Sequence, residues 1–300
     1  MRHSAFVYDD DDRMVEQMAP FLSPALAADE GRAVVVLDRR KWTRLASALG
    51  SDASEAVYVE RGSFYTRPEA ALAAYDRALR VFVRDGAREV RVFGEVPCCE
   101  TAAETDVWLT YEAILNSAFE HHPVWVMCGY DTREASGPLL EGAFDTHPEM
   151  LMDDLAPSPH YHEPDDVVTA RTPPPGPLEG LHTLSLDGGP RGFREALSAE
   201  LEAADVPEAE AENMIIAADE VLANAHRHGG EPVSVRVGRV GDRFVCDVSD
   251  EGPGIDNPLV GFLPPKPGHT EGAGLWVARQ LTRQLELVRS SHGASVRLWV

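Results

Sequence analysis

The chain has 300 residues, enough for two ordinary domains, and its 44% hydrophobic and 26% charged residues make the balance of a globular protein rather than a disordered one. Its net charge is −23: residues 1–179 hold 32 acids against 16 bases and residues 180–300 hold 18 against 11, so neither half has the clustered positive charge that nucleic acid or an anionic membrane requires. No apolar run approaches the ~20 residues of a membrane span, the start MRHSAFVYDDDDR lacks the basic-then-apolar order of a signal peptide, and Cys98, Cys99, Cys128 and Cys246 form no CxxC pair, which together predict a reduced, cytoplasmic protein.

Residues 1–150 alternate short strand-like runs with longer helical ones. The strand candidates are His3–Tyr8, Ala33–Asp38, Val57–Glu60, Glu89–Gly94 and Val124–Cys128, rich in β-branched and aromatic residues. Between them, Pro68–Arg84 and Thr105–Glu120 carry apolar residues at steps of three and four. Such alternation predicts an α/β domain with a mostly parallel sheet. Residues 151–180 are rich in Pro and acids, which disfavours helix and sheet alike, and are read as a semi-stiff linker.

Residues 181–300 read as a second domain. Leu181–Leu186 suggests a strand and Phe193–Ala204 a helix. Asp205 is placed as the N-cap of the next helix, with Pro207 in its first turn and Glu208 at the capping-box position. That helix runs to His228 and stops at Gly229-Gly230. Strands Val233–Gly238 and Arg243–Val248 follow, then a Gly/Pro-rich loop, helix Gly274–Gln284, and strands Glu286–Ser290 and Ala294–Val300. Hairpin-linked strands with helices on one face predict an α+β two-layer sandwich.

The chemistry gathers in this second domain. On Glu208–His228, Glu220, Asn224 and His228 are spaced by four and share a stripe beside an apolar face. The carboxylate suits a general base and the carboxamide oxygen suits Mg²⁺, although such a stripe is equally the solvated side of a helix. Asp250-Glu-Gly-Pro-Gly254 follows directly on a strand: its glycines permit close backbone approach, and Asp250 offers an acceptor to an exocyclic amine. Gly272-Ala-Gly274 opens the helix after the loop and offers unpaired N–H groups to a phosphate. Each motif alone is weak; in this order and at these distances the three together are specific.

In these motifs residues 181–300 resemble the GHKL (Bergerat) ATPase fold shared by histidine kinases, Hsp90, gyrase and anti-sigma-factor serine kinases. Asp219-Glu-Val-Leu-Ala-Asn224 matches the N-box, Asp250-x-Gly252-x-Gly254 the first glycine box and Gly272-x-Gly274-Leu275 the second. The resemblance implies that ATP and Mg²⁺ are cofactors, with Glu220 as base and Asn224 as the metal ligand. It implies that Asp250 meets the adenine amine, with Gly252 and Gly254 beside it, that Gly272 and Gly274 border the phosphates, and that Ile255–Glu271 forms a lid. Ser295 stands where the family often carries a Thr near adenine, and Lys266, in the lid, is read as solvated.

A histidine kinase needs a phosphoacceptor His on a dimerising helical hairpin ahead of the ATPase domain, and PSPHYHEPDD cannot form one. The domain therefore looks more like the RsbW-type anti-sigma serine/threonine kinases. That resemblance implies a sigma factor and an anti-sigma-factor antagonist as partners, a role in transcription and stress regulation, and a homodimer as one permitted state. An ATP-binding switch that sequesters a partner without phosphotransfer is the alternative.

Residues 1–150 resemble the MEDS sensory domain, related to RecA-like ATPases, through Tyr111-Glu112 with Leu115-Asn116, Cys128-x-Tyr130-Asp131 and Thr146-His147-Pro148. No Walker A sequence is present, so this half is read as a sensor or docking domain. Cys98, Cys99 and Cys128 are expected to be structural thiols, and His147, His160 and His162 are not expected to bind metal. Tyr111 and Glu112 suit either a ligand pocket or a core with a satisfied carboxylate.

Overall fold

The computed structural model describes residues 1–172, 175–265, 272–289 and 293–300. The chain divides into two compact units, Met1–Arg171 and Thr172–Val300.

The first unit runs β1 (Arg2–Tyr8), α1 (Asp11–Ala27), β2 (Gly31–Leu37), α2 (Arg39–Leu49), β3 (Val57–Glu60), α3 (Arg61–Phe64), α4 (Pro68–Arg84), β4 (Glu89–Glu95), α5 (Ala102–Ala118), β5 (Val124–Asp131), α6 (Gly137–Thr146), β6 (Glu149–Leu151), β7 (Leu155–Pro157) and α7 (Pro164–Arg171). Its sheet has the order β3-β2-β4-β5-β1-β6-β7, and every pair is parallel except the final β6–β7 hairpin. The expected α/β fold is present. Side chains alternate across the strands: Phe6, Val35, Leu37, Phe93 and Met127 pack with Met14, Met18 and Leu22 of α1 and Leu45 of α2. The intervening residues of β1 and β5, His3, Val126, Cys128 and Tyr130, face the other way, where His3 meets Asn116 of α5. That helix begins earlier than its apolar spacing suggests, because Thr101 and Glu104 form a complete capping box (Glu104 N–H to Thr101 Oγ1, 3.2 Å; Thr101 N–H to Glu104 Oε2, 3.0 Å).

The Pro-rich stretch holds more structure than its composition predicts. Leu155–Pro157 adds an edge strand, where a proline without its N–H is tolerated. Pro164 opens α7, a position where the missing donor would be unpaired in any case. Helix α7 packs on α5, and Arg171 bridges Asp106 (2.8 Å) and Asp145 (3.2 Å).

The second unit runs β8 (His182–Thr183), α8 (Gly189–Ala203), α9 (Glu208–His228), β9 (Ser234–Val240), β10 (Arg243–Asp250), α10 (Ala273–Leu281), β11 (Gln284–Arg289) and β12 (Ala294–Trp299). Its antiparallel sheet has the order β11-β12-β10-β9-β8. Phe193 and Leu197 of α8, Met214, Ala218 and Val221 of α9, and Leu275 and Ala278 of α10 share one core with Val235, Cys246, Val248, Val296 and Leu298 of the sheet. This is the two-layer sandwich of the GHKL type.

Three boundaries differ from the sequence reading. Asp205 does not cap α9. It lies at φ 52 and closes α8, with its N–H on Glu202 O and the Val206 N–H on Leu201 O, both 3.0 Å. A C-terminal Schellman closure takes the residue out of N-cap geometry, and Pro207 takes that place. Helix α10 stops at Leu281 because Gln284 already pairs with Trp299 in the sheet. The Leu181–Leu186 strand shrinks to His182–Thr183. Ser290, the expected end of β11, lies outside the described residues. No helix among the described residues is long and apolar enough to cross a membrane.

Candidate functional site

Helix α9 buries Met214, Ala218, Val221, Leu222 and Ala225 against the sheet, which leaves Glu220 and Asn224 half-buried on its flank, one turn apart. His228 continues the stripe into solvent. The first turn of α10 lies directly on this flank. Gly272 adopts the left-handed conformation (φ 81) that turns the chain into the helix. A Cβ at Gly274 would stand 2.7 Å from Asn224 Nδ2 and 2.9 Å from Glu220 Oε2. Backbone, carboxylate and carboxamide therefore meet at one point, where the free N–H groups of a helix start are available to an anion.

The far wall is built by the end of β10. Asp250 Oδ1 accepts from the Gly252 N–H (2.8 Å), which fixes the carboxylate. The Gly252 backbone passes so close to Gly230 that a Cβ at 252 would lie 2.5 Å from Gly230 N, and Glu251 N–H donates to Gly230 O (3.0 Å). This tie joins the first glycine box to the C-terminal end of α9. Between them lies a cleft of about 70 Å³ with Asn224, His228, Asp250 and Gly254 at its polar edge and Val221, Val248, Ile255 and Val296 among its apolar walls. A flat apolar slot with one carboxylate at its wall suits a heteroaromatic ring bearing an amine.

Of the residues singled out from sequence, Asn224, His228, Asp250 and Gly254 line this cleft, and Gly274 approaches Glu220 and Asn224 beside it. Gly252 supports the wall and Gly272 caps α10. Ser295 does not join them. Because strand side chains alternate, Ala294 and Val296 face the cleft and Ser295 faces the opposite side of the sheet, where its hydroxyl donates to Asp247. The cleft-facing position on β12 is Ala294, which carries no hydroxyl. Lys266 and the 266–271 part of the expected lid lie outside the described residues. The described part, through Pro265, is anchored by Arg279, a buried residue that sequence reading passed over. Its guanidinium donates to Gly261 O (3.2 Å) and Leu285 O (3.3 Å) and stacks 3.6 Å from the Phe262 ring. A lone Arg inside the apolar run LWVARQL was the available signal.

The first unit holds two polar clusters that the sequence did not reveal. At the carboxyl ends of the strands, where ligands of open α/β sheets bind, Lys41 is fully buried between Glu95 (2.5 Å) and Asp131 (2.8 Å). Tyr8 and Arg61 also contact Glu95, and Arg133 joins Asp131 to Asp11. Burial opposes ionisation of Asp131, but hydrogen bonds from Arg133 and Lys41 outweigh it and hold its carboxyl well below the usual range. These charges satisfy one another at the strand ends.

On the other side of the same sheet, His3, Glu112, Cys128 and His147 are all buried, with one ligand-type atom of each within 4.8 Å of the others. Cys128, expected to be a structural thiol, and His147, not expected to bind metal, are thus brought together with His3 and Glu112. The Glu112 carboxylate is not satisfied, since its Oε2 has no hydrogen-bond partner. Burial first and the second imidazole next push His3 down to about 4, and burial pushes the Cys128 thiol up.

Comparison with known proteins agrees with the two-unit division. Residues 2–148 match the family described as MEDS, the MEthanogen/methylotroph, DcmR Sensory domain, and residues 190–300 match the Histidine kinase-like ATPase domain. No curated protein matches the chain significantly. Among solved structures, the chain is similar to the RsbU and RsbW domains of Rv1364c from Mycobacterium tuberculosis, at 20% identity over 42% of this chain and 32% of that one, with a TM-score of 0.29. It is also similar to the histidine kinase domain of the blue-light activated histidine kinase EL346 from Erythrobacter litoralis, at 21% identity over 37% of this chain and 59% of that one, with a TM-score of 0.27. The chain thus matches about a third of the length of the first and under two thirds of the second.

Proposed function

We propose that this chain, a MEDS sensory domain joined to a histidine kinase-like ATPase domain, is an ATP- and Mg²⁺-dependent serine/threonine protein kinase of the anti-sigma type. In this reading it phosphorylates an anti-sigma-factor antagonist and binds a sigma factor under control of the first unit. The observation that supports it is the close approach of Gly274 to Glu220 and Asn224, which brings a carboxylate, a carboxamide and a helix N-terminus together beside an apolar cleft with Asp250 in its lining. The residues fit an adenine nucleotide: the cleft walls are largely apolar, the carboxylate is an acceptor, and a Cβ at 274 would push Asn224 and Glu220 aside.

In the proposed mechanism the second oxygen of Asp250 accepts from the adenine amine while the first stays on the Gly252 N–H. Asn224 Oδ1, which now accepts a 3.3 Å hydrogen bond from Arg227, would hold Mg²⁺ in its place, and the start of α10 would offer its N–H groups to the phosphates. Magnesium supplies charge neutralisation at the triphosphate. Glu220 takes the proton of an acceptor hydroxyl as that oxygen attacks the γ-phosphorus, the bond from the γ-phosphorus to the β,γ-bridging oxygen breaks, and ADP leaves. The acceptor lies on another protein in this reading, because the only helix described between residues 158 and 188 is α7, eight residues long and without a histidine.

The test is incubation of the full chain with labelled ATP, Mg²⁺ and candidate antagonists, followed by acid treatment of the products. Acid-stable label on the antagonist is expected, and Glu220→Ala should lower its rate by about 10²–10⁴ while ATP binding persists. Acid-labile label would support a histidine kinase instead. Firm ATP binding with no transfer to any partner would support the sequestering switch.

A further inference from the structure

The buried cluster on the α5 side of the first sheet has no part in the proposed kinase chemistry. His3 comes from β1, Glu112 from α5, Cys128 from β5, and His147 from the end of α6. His3 Nε2 lies 3.3 Å from both Cys128 Sγ and Glu112 Oε2, and His147 Nε2 lies 3.2 Å from the same Oε2. The two imidazole rings are 4.1 Å apart.

The surrounding hydrogen bonds decide which ring nitrogens carry hydrogen. Asn116 Nδ2 donates to Ala113 O (3.2 Å) and Thr146 O (2.9 Å), so its Oδ1 is the atom turned to His3 Nδ1 at 3.1 Å, and the ring must donate. His147 Nδ1 lies 2.9 Å from Ala143 O, which can only accept. Both neutral rings therefore aim an Nε2 lone pair inward, at a carboxylate oxygen and a thiol. His147 Nε2 and Glu112 Oε2 have no hydrogen-bond partner, although each is buried.

We propose that His3 Nε2, His147 Nε2, Cys128 Sγ and Glu112 Oε2 are the four ligands of a structural site for a late first-row divalent cation, zinc foremost. Bonds of ~2.0–2.3 Å to N, O and S put tetrahedral ligand atoms roughly 3.4 Å apart, close to the three separations of 3.2–3.3 Å given above, and all four atoms lie within 4.8 Å of one another. Two nitrogens, a thiolate and a carboxylate suit zinc, and the two anions neutralise its charge in the interior. Cys128 loses its S–H proton to solvent as the metal–sulfur bond forms. Asn116 and the Ala143 carbonyl orient the two imidazoles, as groups behind metal-bound histidines characteristically do. Four protein donors close the coordination shell, so the ion joins β1, β5, α5 and α6 rather than activating a water.

The test uses the full chain with Cys98→Ser and Cys99→Ser, which removes the two more accessible thiols. After chelator treatment it is titrated with Co²⁺ and, separately, with Zn²⁺, then desalted for metal analysis. One equivalent retained per chain, with a thiolate-to-cobalt charge-transfer band, is expected. Cys128→Ser should abolish the band, His147→Gln should weaken retention at least tenfold, and His160→Ala should change neither. A folded chain that retains no stoichiometric metal overturns the site, as does a band that survives in a folded Cys128→Ser. If the two ligand variants fail to fold, the band and stoichiometry of the parent chain still decide, because the remaining thiol, Cys246, is buried in the core of the second unit.

Discussion

A methyl group at position 274 would meet only the far ends of two side chains, Asn224 Nδ2 at 2.7 Å and Glu220 Oε2 at 2.9 Å. Such ends can swing aside at little cost to the fold, and alanine is the better helix former by up to ~1 kcal/mol. Gly274→Ala should therefore leave thermal stability unchanged or slightly raised, yet, on the proposed function, weaken Mg·ATP binding by about tenfold or more, since it displaces Glu220 and Asn224 together. Calorimetric titration beside a thermal melt separates the two effects. A variant that melts early would show that Gly274 serves the fold rather than the cleft. At this scale the cleft was legible from Glu220, Asn224, Asp250, Gly254 and Gly274, because a helix stripe and two glycine motifs have local signatures. Ser295 was misplaced because one residue of register on β12 reverses the face, and nothing local distinguishes Ala294 from Ser295.

Among the elements, the ends of β1, β4 and β5 and the start of α2 are joined through Tyr8, Glu95, Asp131 and Lys41. Asp131 and Asp11 are both held below the usual carboxylate range: burial opposes this in each case, and the hydrogen bonds and charges of Arg133, Lys41 and Arg40 outweigh it. A carboxylate whose folded value is depressed contributes stability that is complete above its unfolded value near 4 and lost as pH falls through the folded value. The share of the first unit's stability that these two carboxylates supply should then be flat from neutral pH down to about 5 and fall below about 4, on top of the loss that His3, held down to about 4, brings as pH falls below its usual value. Asp131→Asn should remove on the order of 2 kcal/mol of that acid dependence. Hydrogen exchange of β5 peptides in the full chain across a pH series measures it; an unchanged acid slope in the variant would contradict the ion-pair assignment. Strand and helix positions were largely readable from periodicity. The charge network was not, because Lys41, Glu95 and Asp131 are scattered along the sequence and only the parallel topology brings strand ends together. The same holds for His3, Glu112, Cys128 and His147, which four different elements supply.

For the molecule as a whole, the first unit and the second unit each have their own sheet and core, and negative charge predominates in both halves of the sequence. The Pro-rich stretch between them reads as a linker in composition, while its β7 and α7 pack onto the first unit; tertiary contacts there override local preference. The central claim concerns the second unit: the cleft between α9, α10 and β10 binds ATP through Asn224-held magnesium. Its most direct test is calorimetric titration of the full chain with ATP, with and without Mg²⁺, beside Asn224→Ala. The expected result is tight binding that depends on Mg²⁺ in the parent chain, with that dependence lost and residual adenine binding kept in the variant. Equal ATP affinity with and without Mg²⁺, or a variant whose Mg²⁺ dependence matches the parent, would contradict it.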